Sequence, residues 1–156
     1  MRRKDREVTD SKRIAEIMSK CYCCRLAFSD ENAPYIVPMN FGYEKNGEQI
    51  VLYFHSAKEG RKIDLIELGN AVGFEMDTDH VLNEAENACG FSSRFQSIIG
   101  TGKIALLTER ADKEHALKQI MYHYTGKKEW DFSEKMLDAV AVFELVVNEL
   151  SCKEHQ

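Results

Sequence analysis

Asn46-Gly47 lies between two stretches in which apolar residues alternate, and that arrangement limits the fold more than any other feature of the chain. Both residues tolerate positive φ, so the pair predicts a tight hairpin joining residues 35–43 to residues 49–55 as antiparallel neighbours. In the first stretch Tyr35, Val37, Met39, Phe41 and Tyr43 share one face. A doubly wound parallel sheet is thereby excluded, and no Gly-rich dinucleotide fingerprint follows the first strand. Pro38 has no N–H to give to a ladder. Its strand is therefore expected to bulge or to lie at an edge, leaving neighbouring backbone groups free for a ligand.

The remaining elements follow from period and punctuation. Asp10 is an N-cap for an opening helix with Ile14, Ile17, Met18 and Cys21 inward. Residues 22–29 read as a strand with Tyr22, Cys24, Leu26 and Phe28 on one face. Ser56-Ala57-Lys58-Glu59 has capping-box form and predicts a helix with Ile63, Leu65 and Ile66 inward, closed by Gly69. Residues 71–77 return as a fourth strand. The polar stretch 78–92 has no period and reads as a functional loop or lid. Residues 94–108 form a long strand bent at Gly100 and Gly102, Leu117, Ile120, Met121 and Tyr124 mark a helix ended by Gly126, and residues 139–150 are a last strand. Six antiparallel strands with flanking helices predict a mainly β or α+β domain, a small Greek-key barrel that closes the sheet on itself.

The chain has 156 residues, 44% hydrophobic and 30% charged, with no linker and no internal repeat, so a single domain over 1–156 is expected. The net charge of −5 gives no global field for nucleic acid or an anionic membrane. No apolar run approaches the ~20 residues of a membrane span, and none follows the basic start at Arg2–Arg6, which reads as a surface or dimer-contact segment. Five cysteines without framework spacing point to free thiols and a cytoplasmic location. Cys23 and Cys24 point to opposite faces of a strand and have no second pair, so no metal site is expected at Cys21, Cys23 and Cys24. Cys89, in the long polar stretch, reads as an ordinary exposed thiol. Trp130 and Phe132 read as core or interface packing.

Two segments carry candidate chemistry. Phe54-His55-Ser56-Ala57-Lys58-Glu59-Gly60-Arg61-Lys62 spans a strand-to-helix junction, where helix N–H groups, a hydroxyl, His55 and two cations could hold a phosphate. The same residues read equally as a capping box followed by solvated charges. Around Pro38, freed backbone groups beside apolar side chains could face a flat heteroaromatic ring, or could be an ordinary edge strand. His80, after Asp77-Thr78-Asp79, could deliver a proton or be a plain surface histidine.

Four blocks, in order and across nearly the whole chain, carry a family resemblance. They are Arg2-Arg3-Lys4-Asp5-Arg6-Glu7; Pro34-Tyr35-Ile36-Val37-Pro38-Met39-Asn40-Phe41-Gly42-Tyr43; Leu52-Tyr53-Phe54-His55-Ser56-Ala57 with Gly60-Arg61-Lys62-Ile63-Asp64; and Ser97-Ile98-Ile99-Gly100-Thr101-Gly102. Together they resemble the nitroimidazole-resistance branch of the pyridoxamine 5′-phosphate oxidase-like proteins. The resemblance implies a split-barrel homodimer that binds FMN in two clefts at the subunit interface. It implies that His55, Ser56, Arg61 and Lys62 hold the FMN phosphate, with Phe54 beside them. It further implies that Val37, Pro38, Met39 and Asn40 line the ring, and that Arg94, Gln96 and Ser97 reach it from the other subunit. The oxidase's arginine-rich version of that last strand is degenerate here. Its C-terminal substrate-phosphate motif is also missing from Ser151-Cys152-Lys153-Glu154-His155-Gln156, which argues against vitamin B6 oxidation.

The expected function is thus an FMN-dependent oxidoreductase that passes electrons from a reduced nicotinamide or another donor to a small planar acceptor, such as a nitroaromatic, with His55 or His80 as proton donor. The alternative is a non-catalytic flavin- or haem-binding module on the same barrel, which an absorption spectrum would distinguish.

Overall fold

A computed structural model describes residues 3–31 and 33–155. Arg2 at the head of the basic start and Gln156 at the chain end lie outside the described residues. The strands are β1 (Glu7–Val8), β2 (Cys24–Phe28), β3 (Tyr35–Met39), β4 (Gly42–Asn46), β5 (Gln49–Ser56), β6 (Ala71–Asn83), β7 (Ser92–Leu106) and β8 (Ala141–His155). The helices are α1 (Ser11–Lys20), α2 (Arg61–Glu67), α3 (Arg110–Thr125) and α4 (Glu134–Asp138). No helix among the described residues is long and apolar enough to cross a membrane.

Seven strands form one antiparallel path in the order β3-β2-β6-β7-β8-β5-β4, and β1 pairs with β8. The two ends of this path, β3 and β4, are consecutive in the chain, so the sheet curls into a barrel that is split between them. Among the described residues no ladder joins β3 to β4, so the barrel is split, as the family resemblance implied, and the closure and six strands read from the alternation pattern are corrected to an open sheet of eight strands. The strand expected across 35–43 is in fact two strands at opposite edges. The break has a physical cause. The Phe41 N–H donates to the Tyr124 hydroxyl at 3.1 Å, and that hydroxyl donates to the Tyr22 carbonyl at 2.7 Å. The backbone donor that would extend a ladder is thus satisfied by α3, and Pro38, three residues earlier, offers none.

The hairpin forms, but its loop is Gly47-Glu48 in place of the expected Asn46-Gly47: Asn46 pairs with Gln49 as the last residue of β4, and Gly47 alone of the two takes a positive φ, +63°. Alternation then sorts the core into two layers. Leu52 and Phe54 of β5, with Phe143 and Leu145 of β8, face the barrel interior alongside Leu26, Phe28, Phe74, Met76 and Ile98. Val51, Tyr53 and Val142 face outward against Ala116, Leu117 and Ile120 of α3 and Leu137 of α4, with Phe132 packed on the same layer. Strand β5 is therefore buried on both faces. Gly42 lets β4 approach α3: a Cβ there would overlap the Gln119 and Ile120 backbone.

Several sequence expectations are corrected. Tyr22 is 75% exposed and lies outside β2. The stretch 78–92 is not a lid. β6 continues to Asn83 and β7 begins at Ser92, so the two strands extend as a hairpin past an irregularity between Thr78 and Val81. The last strand runs on to His155, and α4 was not anticipated. Cys21, Cys24 and Cys152 are buried, where lost hydration pushes the Cys21 thiol up to about 12, the Cys152 thiol to about 11, and the Cys24 thiol up as well. These are inert core thiols. Cys89 is exposed.

Candidate functional site

The strand-to-helix junction is built differently from a capping box. Helix α2 starts at Arg61, behind Gly60 at φ +119°, with no side-chain cap, and Ser56 Oγ donates to the Ala57 carbonyl at 2.8 Å instead. Ile63, Leu65 and Ile66 are buried and anchor α2 to the barrel, which leaves Arg61 and Lys62 beside the end of β5. Phe54, expected beside the phosphate residues, supports the junction from within the barrel. Its side chain is 0% exposed and stacks on Phe143 at 5.5 Å inside the barrel, because alternation on β5 sends it inward.

The structure brings the two sequence-predicted segments together. Lys62 Nζ lies 3.6 Å from Met39 Sδ, and the Arg61 guanidinium lies over the Tyr35 ring at 4.9 Å from its centre. Arg61 Nε also donates to Asp30 Oδ2 at 2.7 Å. Asp30 is held below the usual carboxylate range by the Glu31 N–H, which donates to Oδ1 at 2.7 Å, and by Arg61. Burial lowers the Lys62 pKa. It also lowers that of His55, where the nearby Lys62 charge adds to the effect. His55 Nδ1 is buried and has no hydrogen-bond partner. On the same edge Val37 is half-buried, Pro38 and Asn40 are exposed and Met39 is buried. Pro38 sits in register with Arg25 on β2, at the outer strand of the sheet.

Arg94, Gln96 and Ser97 lie elsewhere. In register, His55 and Ser56 pair with Val142 and Ala141 at the start of β8, whereas Phe95, Gln96 and Ser97 pair with His155, Glu154 and Lys153 at its end. A cavity of about 340 Å³ opens there, lined by Asp79, Val81, Arg94, Phe95, Gln96, Glu154 and His155. Gln96 is 6% exposed; its Nε2 donates to Glu154 at 2.8 Å while its Oε1 is buried without a partner. His80 belongs to this end too. It pairs with Asp77 and stacks on Phe95 with ring centres 6.4 Å apart. Burial would raise Asp77, but Arg25 and His80 outweigh it and keep the carboxyl low. Among the described residues no contact links His80 to the His55 cluster, so one chain carries two separate groups.

Sequence reasoning missed three participants. Asp30 lies in a polar turn with no motif around it. Glu154 and His155 lie beyond the strand expected at 139–150, yet Arg13 and Gln96 both bind Glu154, and Arg6 Nη2 meets His155 Nε2 at 3.0 Å while His155 Nδ1 donates to the Ser93 carbonyl at 2.6 Å. The signal available was Cys152, whose period-two spacing from Leu150 continues the strand. No group of three or more His, Cys, Asp or Glu able to hold a metal is present among the described residues.

A phosphate-bearing ligand at the His55 cluster would meet a half-buried ammonium near a buried ring nitrogen that lacks a partner. Comparison with known proteins agrees with the fold. A candidate 5-nitroimidazole antibiotic resistance protein from Bacteroides thetaiotaomicron is similar over 95% of this chain and 86% of its own, at 32% identity and a TM-score of 0.80. The flavocytochrome Anf3 from Azotobacter vinelandii matches over 100% of this chain and 72% of its own at 20% identity and a TM-score of 0.80. An FAD- and haem-binding protein from Mycobacterium smegmatis matches over 97% and 74% at 14% identity and a TM-score of 0.77. The last two share the fold alone. No curated protein matches the chain. The family model described as pyridoxamine 5′-phosphate oxidase matches residues 10–154, and the chain belongs to that family.

Proposed function

We propose that the protein is an FMN-dependent oxidoreductase that reduces a small planar acceptor, a nitroaromatic being the leading class, with the flavin held between two copies of the chain. The observation that carries this reading is the cluster of His55, Arg61 and Lys62 against the β3 edge, where Lys62 meets Met39 and Arg61 meets Tyr35. His55, Ser56, Arg61 and Lys62 surround the place for the phosphate. Backbone groups of Val37, Pro38, Met39 and Asn40 lie along the ring, and Arg94, Gln96 and Ser97 approach it from the second copy. Bound FMN supplies the hydride and electron chemistry. His55, kept neutral by burial, can donate one N–H, while His80, paired with Asp77, is the alternative proton source at the partner's end. Relatives of the same fold that bind FAD and haem support a redox role in general, and the resemblance to a resistance protein supports the acceptor class.

The test is turnover. FMN-loaded protein, given NADH or NADPH under anaerobic conditions with a 5-nitroimidazole, is expected to consume the nitro absorbance. Replacing both Arg61 and Lys62 by Ala is expected to abolish this by loss of FMN, since charge-assisted bonds contribute about 1.5–3 kcal/mol each. A loaded protein inert to every nitroaromatic and to both nicotinamides would overturn the reading, and a Soret band in place of a flavin spectrum would assign haem instead.

A further inference from the structure

Strands β6 and β7 lose register at one place. Thr78 pairs with Gln96 and Val81 with Arg94, so Asp79 and His80 together face the single residue Phe95. The insertion is a β-bulge whose first residue takes a left-handed backbone: Asp79 has φ +55°, the one positive φ outside glycine among the described residues. It is held from α1, where Lys20 Nζ pairs with Asp79 Oδ2 at 2.9 Å and the Lys20 carbonyl accepts from Thr78 Oγ1 at 3.3 Å. The bulge decides where His80 points. On an unbroken strand residues 77 and 80, an odd number of places apart, would lie on opposite faces. The extra residue brings them to one side, where His80 Nε2 meets Asp77 Oδ2 and the imidazole stacks on Phe95 with 18° between the ring planes.

Asp77 fixes which nitrogen of His80 carries hydrogen. Burial would raise its carboxyl, but Arg25, which also donates to Glu75 Oε2 at 2.8 Å, and His80 keep it low. An ionised carboxylate only accepts, so Nε2 is the donor. Nδ1 has no hydrogen-bond partner among the described residues, and a second proton held there is free to be given away. The other histidines are differently engaged. At the same end both His155 nitrogens are taken, since Nδ1 donates to the Ser93 carbonyl and Nε2 is left to accept from Arg6. His55 is kept neutral by burial and by Lys62, and its Nδ1 is buried. His115 is bonded to Glu44, and His123 to the Cys21 carbonyl. His80 is exposed beside the 340 Å³ cavity: its chain neighbours Asp79 and Val81 and its stacking partner Phe95 all line it, with Arg94 in the same wall.

We propose that His80 delivers the proton when the acceptor is reduced, that Asp77 is its positioning residue, and that the bulge at Asp79 is the backbone device that brings the two together. The assignment rests on the FMN reading, in which the β6–β7 end of one chain approaches the flavin held by the other, and it selects one of the two candidate donors. Reduction of a nitro group to nitroso takes two electrons and two protons and releases one water as an N–O bond breaks. One proton arrives with the electron pair, as hydride from the reduced flavin. His80 gives the other from Nδ1 to the departing oxygen and regains it from solvent.

The experiment compares two oxidants of the reduced, FMN-loaded protein in anaerobic stopped flow: metronidazole, whose reduction consumes protons, and ferricyanide, which takes electrons alone. His80→Gln is expected to lower the ratio of the metronidazole rate to the ferricyanide rate about 100-fold, and Asp77→Asn to lower it about 10-fold. His115→Gln, on α3, is expected to leave the ratio unchanged. A second readout needs no flavin. In the flavin-free protein, NMR of the His80 ring nitrogens is expected to show the neutral ring with hydrogen on Nε2 and a bare Nδ1, and a mixture of the two forms in Asp77→Asn. An unchanged ratio in His80→Gln, or a wild-type ring with its hydrogen on Nδ1, would overturn the assignment and leave the FMN reading standing. A wild-type protein that binds no FMN, or whose bound FMN passes no electrons to metronidazole, would overturn the proposed function and the assignment with it.

Discussion

Protonating a histidine beside a lysine inside a protein is opposed twice, by lost hydration and by the neighbouring charge. His55 stands in that position, and His123, packed among Phe41, Tyr43 and Tyr124 with its Nε2 donating to the Cys21 carbonyl, has its pKa lowered by burial as well. For both, the folded state binds a proton less readily than the unfolded chain. Stability therefore rises with pH through this range and is lost as pH falls below the unfolded value near 6.5. The melting temperature is expected to fall between pH 7.5 and 5.5, and His123→Phe should flatten part of that fall even though it lowers the plateau; an unchanged slope would contradict the account. At this scale the sequence displayed His55 and Lys62 because they sit in a dense polar motif. It hid Asp30, whose partner is 31 positions away.

Among the elements, the decisive feature is the break at Asn40-Phe41 that sends β3 and β4 to opposite edges of the sheet. Uninterrupted alternation from Tyr35 to Tyr43 concealed it, because the interruption is enforced by Tyr124 on α3, far along the chain. Gly42 follows this break and lies against the α3 backbone, whereas Gly47 lies in the hairpin with nothing near its missing Cβ. Gly47→Ala is expected to cost about 1–2 kcal/mol for its positive φ. Gly42→Ala should cost more, because helix backbone must move. Urea midpoints of the two variants check the order, and equal losses would deny that β4 and α3 are pressed together. The hairpin beyond Thr78 was illegible for a different reason. Its residues are largely exposed on both sides, so no face needed to be apolar and no period was imposed. By contrast, α1, the β4–β5 hairpin and the end of α3 at Gly126 were legible, since each carries its own cap or turn residue.

On the scale of the whole molecule, one chain presents two separate groups at opposite ends of β8: the His55 cluster at one, and at the other a cavity lined by Arg94 and Gln96, with His80 stacked on Phe95 of the same lining. Two copies arranged symmetrically would complete both sites at once. Dilution of loaded protein is then expected to release flavin in step with dissociation to monomers, followed by sedimentation and flavin fluorescence together; a monomer that keeps its flavin would refute the shared cleft. The family and its split barrel were readable from ordered motif blocks spread along the chain, but the place of the split, between β3 and β4, was not, because it depends on contacts between strand and helix. The central claim is that the junction of β5 and α2 binds a flavin through its phosphate. Its most direct test is reconstitution of purified protein with excess FMN, removal of unbound ligand, and measurement of the visible spectrum and of the cofactor released by heating. One FMN per chain, with a flavin spectrum, is the expected result; a colourless protein that retains no flavin would contradict it.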